Sequence, residues 1–301
     1  MENVLRNISQ MANSRLAIEN ANVRVAAIQM VSTSDLHANL VSTRKLLNQA
    51  KRESVELAVL PENFLTYGTR PLLGKSQEVE FLETFSQMAK EIGMWIVAGS
   101  FPLRHSIEGY DRQSGDVDKP YATSVVFHPQ GHVYEYYDKI HLFDVDVSDT
   151  NRRYRESDDF SRGTRSVVFE SPWGRIGLAI CYDLRFPELF LDFAQKGVRI
   201  ILLPSAFTEA TGRDHWEILL RARAIECQCF IVAPNQGGRH TEKLSTWGQS
   251  MVVDPWGNII SSLDKGEGAV VANLDLSMIK KISDRMPISS HRRMDVYSDK
   301  N

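Results

Sequence analysis

The chain has 301 residues, 43% hydrophobic and 24% charged, with a formal net charge of −3 and an isoelectric point near 6.3. Such usage is enough to bury a sizeable core, and the slight acidic excess offers no basic face to a phosphate backbone, which argues against sequence-independent nucleic-acid binding. No stretch approaches the roughly 20 apolar residues of a membrane span, so work on small molecules away from a membrane is expected.

Residues 1–22 hold no apolar run of the length a secretory signal needs. They read as a tail, with a mitochondrial presequence as the alternative because of Arg6 and Arg15. VRVAAIQM at 23–30 reads as a strand, followed by a helix with Ser34 as candidate cap and Leu36, Leu40, Leu47 and Ala50 at near-helical spacing. LAVLPE at 57–62 is a second strand. A helix over 81–92 stops at Gly93, and WIVAGSF at 95–101 returns as a third strand. Hairpins follow around Pro129-Gln130-Gly131 and Pro172-Trp173-Gly174. Then come helix 187–196, strand 198–203, helix 215–229, strand FIVAP at 230–234 and a last hairpin around Asp254-Pro255-Trp256-Gly257. Hairpins set between βα units, with enough helix to cover one face of each sheet, predict two sheets packed together inside two helix layers, a single α/β four-layer αββα sandwich over 23–290. No linker divides it, and residues 291–301 read as a polar tail.

Three residues stand where strands end. Cys181 closes RIGLAIC, Glu62 closes LAVLP, and Lys139 closes VYEYYD. A thiol, a carboxylate and an ammonium at strand ends supply a nucleophile, a general base and an oxyanion donor. Each residue alone also has a bland reading: a packing cysteine, a loop-anchoring glutamate, a snorkelling lysine. His141 stands two residues beyond Lys139, on the same face if the strand continues, and reads as structural support. His215 and Trp216 read as packing or pocket wall, and Cys227 and Cys229 as core or interface residues with no spacing for zinc. Cysteine usage points to a reducing compartment, so the cytoplasm is expected.

Taken together, PEN at 61–63, YDKIHLFD at 137–144 and ICYDLRFPE at 180–188 resemble the nitrilase superfamily of carbon–nitrogen hydrolases, and the resemblance extends over residues 23–290. It implies a Glu–Lys–Cys triad at Glu62, Lys139 and Cys181. A further glutamate of the family finds its counterpart in YRES at 154–157, which gives Glu156 a part in placing the lysine or the substrate. The implied chemistry is thioester formation at Cys181 with Glu62 moving the protons, Lys139 and the Tyr182 N–H holding the oxyanion, ammonia leaving, and no cofactor or metal. Relatives also pair their αββα units, so a homodimer or larger assembly is expected.

Tyr182-Asp183 directly after the cysteine, where nitrilases carry Trp-Glu, is similar to the amidase branch. Within it, LRFPEL at 184–189, PSAF at 204–207 and GGRHTEKLSTWGQSMVVDPWG at 237–257 most resemble amidases of deaminated glutathione, with omega-amidases of 2-oxoglutaramate as the alternative and an idle interaction protein as a third reading. Departures are Gln249, where relatives often have His, and a long loop at 104–119. For an anionic small amide, Arg185 is a candidate carboxylate clamp, otherwise a salt-bridge partner of Glu188 or Asp183; Phe207 is a candidate pocket wall, and Arg239 with Lys243 could meet a distant carboxylate.

Overall fold

The computed structural model describes residues 22–67, 75–104, 107, 119–146 and 153–297. Most of the 104–119 loop and of the expected N-terminal tail lies outside them. Strand β1 (Asn22–Gln29) leads into helix α1 (Leu36–Arg52). Asp35 caps that helix in place of Ser34, its Oδ1 accepting the Ala38 N–H at 3.0 Å. Strand β2 (Leu57–Val59), helix α2 (Lys75–Ile92) and strand β3 (Trp95–Leu103) follow. The helix starts earlier than the predicted residue 81. Hairpin β4 (Tyr121–Phe127) and β5 (Val133–Asp138), with the C-terminal strand β16 (Gly268–Asp275), completes a six-stranded sheet in the order β16-β1-β2-β3-β4-β5.

The second sheet is assembled from β8 (Val167–Ser171), β9 (Gly174–Leu178), β10 (Ile200–Leu202), β11 (Phe230–Ala233), β14 (Ser250–Val253) and β15 (Ile259–Leu263). Both sheets repeat one pairing pattern. Read from β16 in one and β8 in the other, the junctions run antiparallel, parallel, parallel, antiparallel, antiparallel. Helices α3 (Pro187–Gln195) and α4 (Glu217–Cys227) accompany the second sheet, and α5 (Ser277–Arg285) follows β16. Two small hairpins, β6 (Asp144–Asp146) with β7 (Arg153–Arg155) and β12 (Arg239–Thr241) with β13 (Leu244–Ser245), were not announced by the sequence.

The period of two in β1 explains the layering. Val23, Val25 and Ala27 join Leu57, Val59, Ile176, Leu178, Ile200 and Leu202 in the core between the sheets, whereas Ala26 and Ile28 join Leu46, Leu47, Phe81 and Phe85 under α1 and α2. The second sheet buries its other face against Phe190, Phe193, Leu220 and Ala224 of α3 and α4. The result is the expected αββα sandwich. Beyond α5, residues 288–291 form a single helical turn, and residues 294–297 form another inside the segment expected as a polar tail. Arg292 bonds the Glu226 carbonyl at 2.8 Å and fastens that segment to the end of α4.

Candidate active site

Every strand that carries a reactive group stops just short of it. β2 ends at Val59 and the chain turns through Pro61 to Glu62, whose carbonyl accepts the Gln236 side-chain amide at 3.0 Å. Gly99 permits this turn: a Cβ there would stand 1.8 Å from the Pro61 oxygen. Likewise β5 ends at Asp138, and Gly163 packs so closely on that carbonyl that a Cβ would approach it to 2.0 Å. The Lys139 N–H donates to Ala122 and its carbonyl accepts from Gly163, so the backbone at the ammonium is pinned on both sides. The chain leaves the strand after Asp138, so His141 owes its place to something other than a shared strand face.

The run RIGLAIC is strand only as far as Leu178. Cys181 opens a 3₁₀ turn with φ of 45°, a left-handed conformation uncommon outside glycine that marks a strained, over-determined position. Its N–H donates to the Pro204 carbonyl at 2.9 Å. Asp183, fully buried, holds the turn: one carboxylate oxygen accepts from Tyr137 Oη at 2.7 Å and Ile180 N–H at 2.8 Å, the other from the His141 N–H at 3.1 Å and ring Nδ1 at 2.7 Å. Asp183 thereby ties the lysine loop to the cysteine turn. His141 stacks on Phe186 at 3.7 Å and braces the turn from outside.

These backbones bring Glu62, Lys139, Glu156 and Cys181 together. Lys139 Nζ donates to Glu62 Oε1 at 2.7 Å and to Glu156 Oε1 and Oε2 at 3.0 and 2.8 Å, and its side chain is 2% exposed. Glu156 also accepts the Phe143 N–H. Burial works against the ammonium, but Glu156 and Glu62 outweigh it and hold the Lys139 pKa well above its usual value. Glu156 is raised by burial and by Glu62, against the pull of Lys139. Burial first, and then the Glu62 carboxylate beside it, push the Cys181 thiol pKa well up. One buried cation facing two carboxylates leaves negative charge in excess, so the resting sulfur keeps its proton and a base must take it during attack. Glu62 lines the same cavity beside it to do so.

A cavity of about 680 Å³ opens over these groups. Phe143, Tyr154, Arg155, Tyr182, Arg185, Phe207 and Tyr67 line it. The Tyr182 N–H lies ahead of the first hydrogen bond of the 3₁₀ turn, which runs from Asp183 N–H to Ile180 O. Arg185 pairs with neither Glu188 nor Asp183; its guanidinium bonds His215 Nδ1 at 3.2 Å and lies 5.5 Å from the Phe207 ring and 5.8 Å from that of Tyr182. Phe207 packs on buried Trp216. Arg239 is exposed, its guanidinium bonded to the Thr241 and Glu242 carbonyls of its own hairpin, and among the described residues neither it nor Lys243 lines the cavity. Gln249 carries a left-handed backbone and accepts the Trp247 ring N–H away from the cavity lining. Cys227 and Cys229 are free thiols beside the turn that ends α4. Among the described residues no group of three or more His, Cys, Asp or Glu is placed to hold a metal ion, and no helix is long and apolar enough to cross a membrane.

The sequence leaves Tyr67, Tyr154 and Arg155 without a role and offers Asp183 only as a possible partner of Arg185. Asp183 lies beside Cys181, and Tyr154 and Arg155 beside Glu156, inside their motifs, the one signal the sequence holds for them; Tyr67 offers none.

The carbon-nitrogen hydrolase family model matches residues 24–284. The chain is 38% identical to the deaminated glutathione amidase of Yersinia enterocolitica over 90% of this chain and 93% of that one, and 38% identical to that of Homo sapiens over 91% and 84%. In structure it is similar to the Caenorhabditis elegans NitFhit protein, at 35% identity and a TM-score of 0.79, covering 92% of this chain and 66% of that longer one. Matched along nearly its whole sandwich, and with a thiol, a carboxylate and an ammonium meeting at its strand ends, the chain belongs to the carbon-nitrogen hydrolase family of the nitrilase superfamily and is an amidase.

Proposed function

We propose that this amidase hydrolyses deaminated glutathione through a Glu62–Lys139–Cys181 triad. The observation that carries the reading is the convergence of Cys181, Glu62, Lys139 and Glu156 on one cavity, with Glu62 and Glu156 sharing Lys139 Nζ. Glu62 takes the thiol proton as sulfur attacks the amide carbonyl, and delivers it to the departing nitrogen. The acyl group remains on Cys181 as a thioester, which water activated by Glu62 then cleaves. Lys139 and the Tyr182 N–H stabilise the oxyanion in both steps, and Glu156 positions Lys139.

The substrate follows from the relatives' name and from the cavity. Its volume lies within the range of small-molecule sites and takes a tripeptide-sized compound. Arg185, held between two aromatic rings, suits the 2-oxo acid carboxylate. The amides of glutathione are secondary, so its deaminated form releases an amine, which corrects the ammonia expected from the sequence; ammonia would leave from 2-oxoglutaramate. Both compounds carry the same 2-oxo acyl group and would form the same thioester. Turnover measured side by side on deaminated glutathione, 2-oxoglutaramate and a simple nitrile tests the proposal. A higher kcat/KM on 2-oxoglutaramate would replace it with an omega-amidase, and hydrolysis of the nitrile alone would remove it.

The enzyme acts in the cytoplasm as at least a homodimer and binds no nucleic acid. Three free cysteines fit a reducing compartment. Ile218 and Ile225 on α4, 69% and 41% exposed, with Trp256 at 57%, supply an apolar face for a second copy.

A further inference from the structure

Tyr67 follows Glu62 on the loop that leaves β2, its N–H bonded to the Thr33 carbonyl at 2.9 Å. Its side chain lines the cavity with Glu62, Lys139, Cys181 and Tyr154, and Glu62 is the carboxylate that acts on it most strongly. Burial keeps it a neutral phenol. Among the described residues its hydroxyl makes no hydrogen bond, although the rest of the site is densely bonded. Its ring lies 4.2 Å from that of His240. His240 is buried and gripped at both nitrogens, Nδ1 by the Ser32 carbonyl and Nε2 by the Thr246 hydroxyl, each at 2.7 Å. A carbonyl only accepts, so Nδ1 carries the hydrogen and Nε2 accepts from Thr246. Ser32 follows β1 and Thr246 follows β13, so the imidazole is a wedge fixed between the end of β1 and the β12–β13 hairpin, with the phenol resting on it.

We propose that Tyr67 is a substrate-contacting residue whose hydroxyl holds the nitrogen that leaves in acylation and then the water that replaces it, and that His240 is the positioning residue that fixes this hydroxyl. Leaving nitrogen and incoming water must both stand beside Glu62, which exchanges protons with each. A hydroxyl there can accept from the nitrogen and donate to the water. The same wedge gives the β12–β13 hairpin a link to the chemistry that Arg239 does not supply. The proposal rests on the Glu–Lys–Cys amidase reading.

The test is steady-state kinetics of the full chain on deaminated glutathione and 2-oxoglutaramate, each variant checked for folding by its melting curve. Tyr67→Phe is expected to lower kcat about tenfold or more on both substrates while KM moves little. His240→Ala is expected to lower kcat comparably in the wild-type background and to cost nothing further in the Tyr67→Phe background. His240→Phe, which keeps a ring against Tyr67, retains more activity than His240→Ala and serves the cycle if the alanine variant does not fold. A Tyr67→Phe enzyme within twofold of wild-type kcat overturns the proposal, as does a His240 substitution that costs the same factor in both backgrounds. A wild type active on neither amide overturns the amidase reading beneath it.

Discussion

Replacing Lys139 by Met removes the cation and keeps the stem, leaving Glu62 and Glu156, 5% and 15% exposed, without the positive charge between them. Nζ makes three bonds of 2.7–3.0 Å to these carboxylates, and removing one member of a buried ionic set costs about 3–5 kcal/mol of stability near pH 8. The loss depends on pH in a definite direction. Burial and Glu62 already raise the Glu156 pKa against the pull of Lys139, so without the cation it rises further. A carboxyl raised in the folded state holds a proton that the unfolded chain releases near 4.3, so stability is lost as pH increases above that value and regained as pH falls. Urea unfolding at pH 5.5 and pH 8 should therefore show a variant closer to wild type at the lower pH. Activity should fall by about 10²–10³ in kcat even where the variant is folded, the usual loss for an oxyanion donor. A variant within about 1 kcal/mol of wild type at pH 8, with the same deficit at pH 5.5, would refute the coupling.

Three further outcomes are expected. Cys181→Ala abolishes turnover with little change in melting temperature, since it removes the nucleophile and little volume; comparing product release with circular dichroism on one sample checks this. His240, lowered by burial to about 4 from an ordinary 6.5, is neutral when folded; its contribution of about 3 kcal/mol is present above pH 6.5 and lost as pH falls through 4. Unfolding free energies at pH 7 and pH 4 should thus differ more in wild type than in His240→Phe, and equal slopes would contradict it. Arg185→Ala raises KM about tenfold or more for a 2-oxo acid amide with kcat little changed, and an unchanged KM would show that the guanidinium does not bind the carboxylate.

The residues most legible in the sequence are those whose chemistry conflicts with their neighbours. Glu62 and Cys181 each close an apolar run and Lys139 closes the strand VYEYYD, so strand pattern put all three near sheet ends and the resemblance gave them their roles. Glu156 was legible only through resemblance, because the short hairpin that carries it has no apolar pattern of its own. Asp183 and Tyr67 could not be read, since their roles arise from partners distant in the chain: Tyr137 and His141 for the first, His240 for the second. Local competition decided other differences. Ser34 and Asp35 are both competent caps, and only the backbone geometry selects the aspartate. Arg239 looks available for an anion in the sequence, yet the carbonyls of its own hairpin take its guanidinium.

The most direct test of the central claim is acid-quenching the wild-type enzyme during turnover of deaminated glutathione and of 2-oxoglutaramate, followed by intact-mass and peptide-mapping mass spectrometry. One and the same acyl adduct is expected from both substrates, borne on the peptide containing Cys181 and absent from Cys181→Ala. Turnover without an adduct at Cys181, or an adduct on another residue, would contradict it.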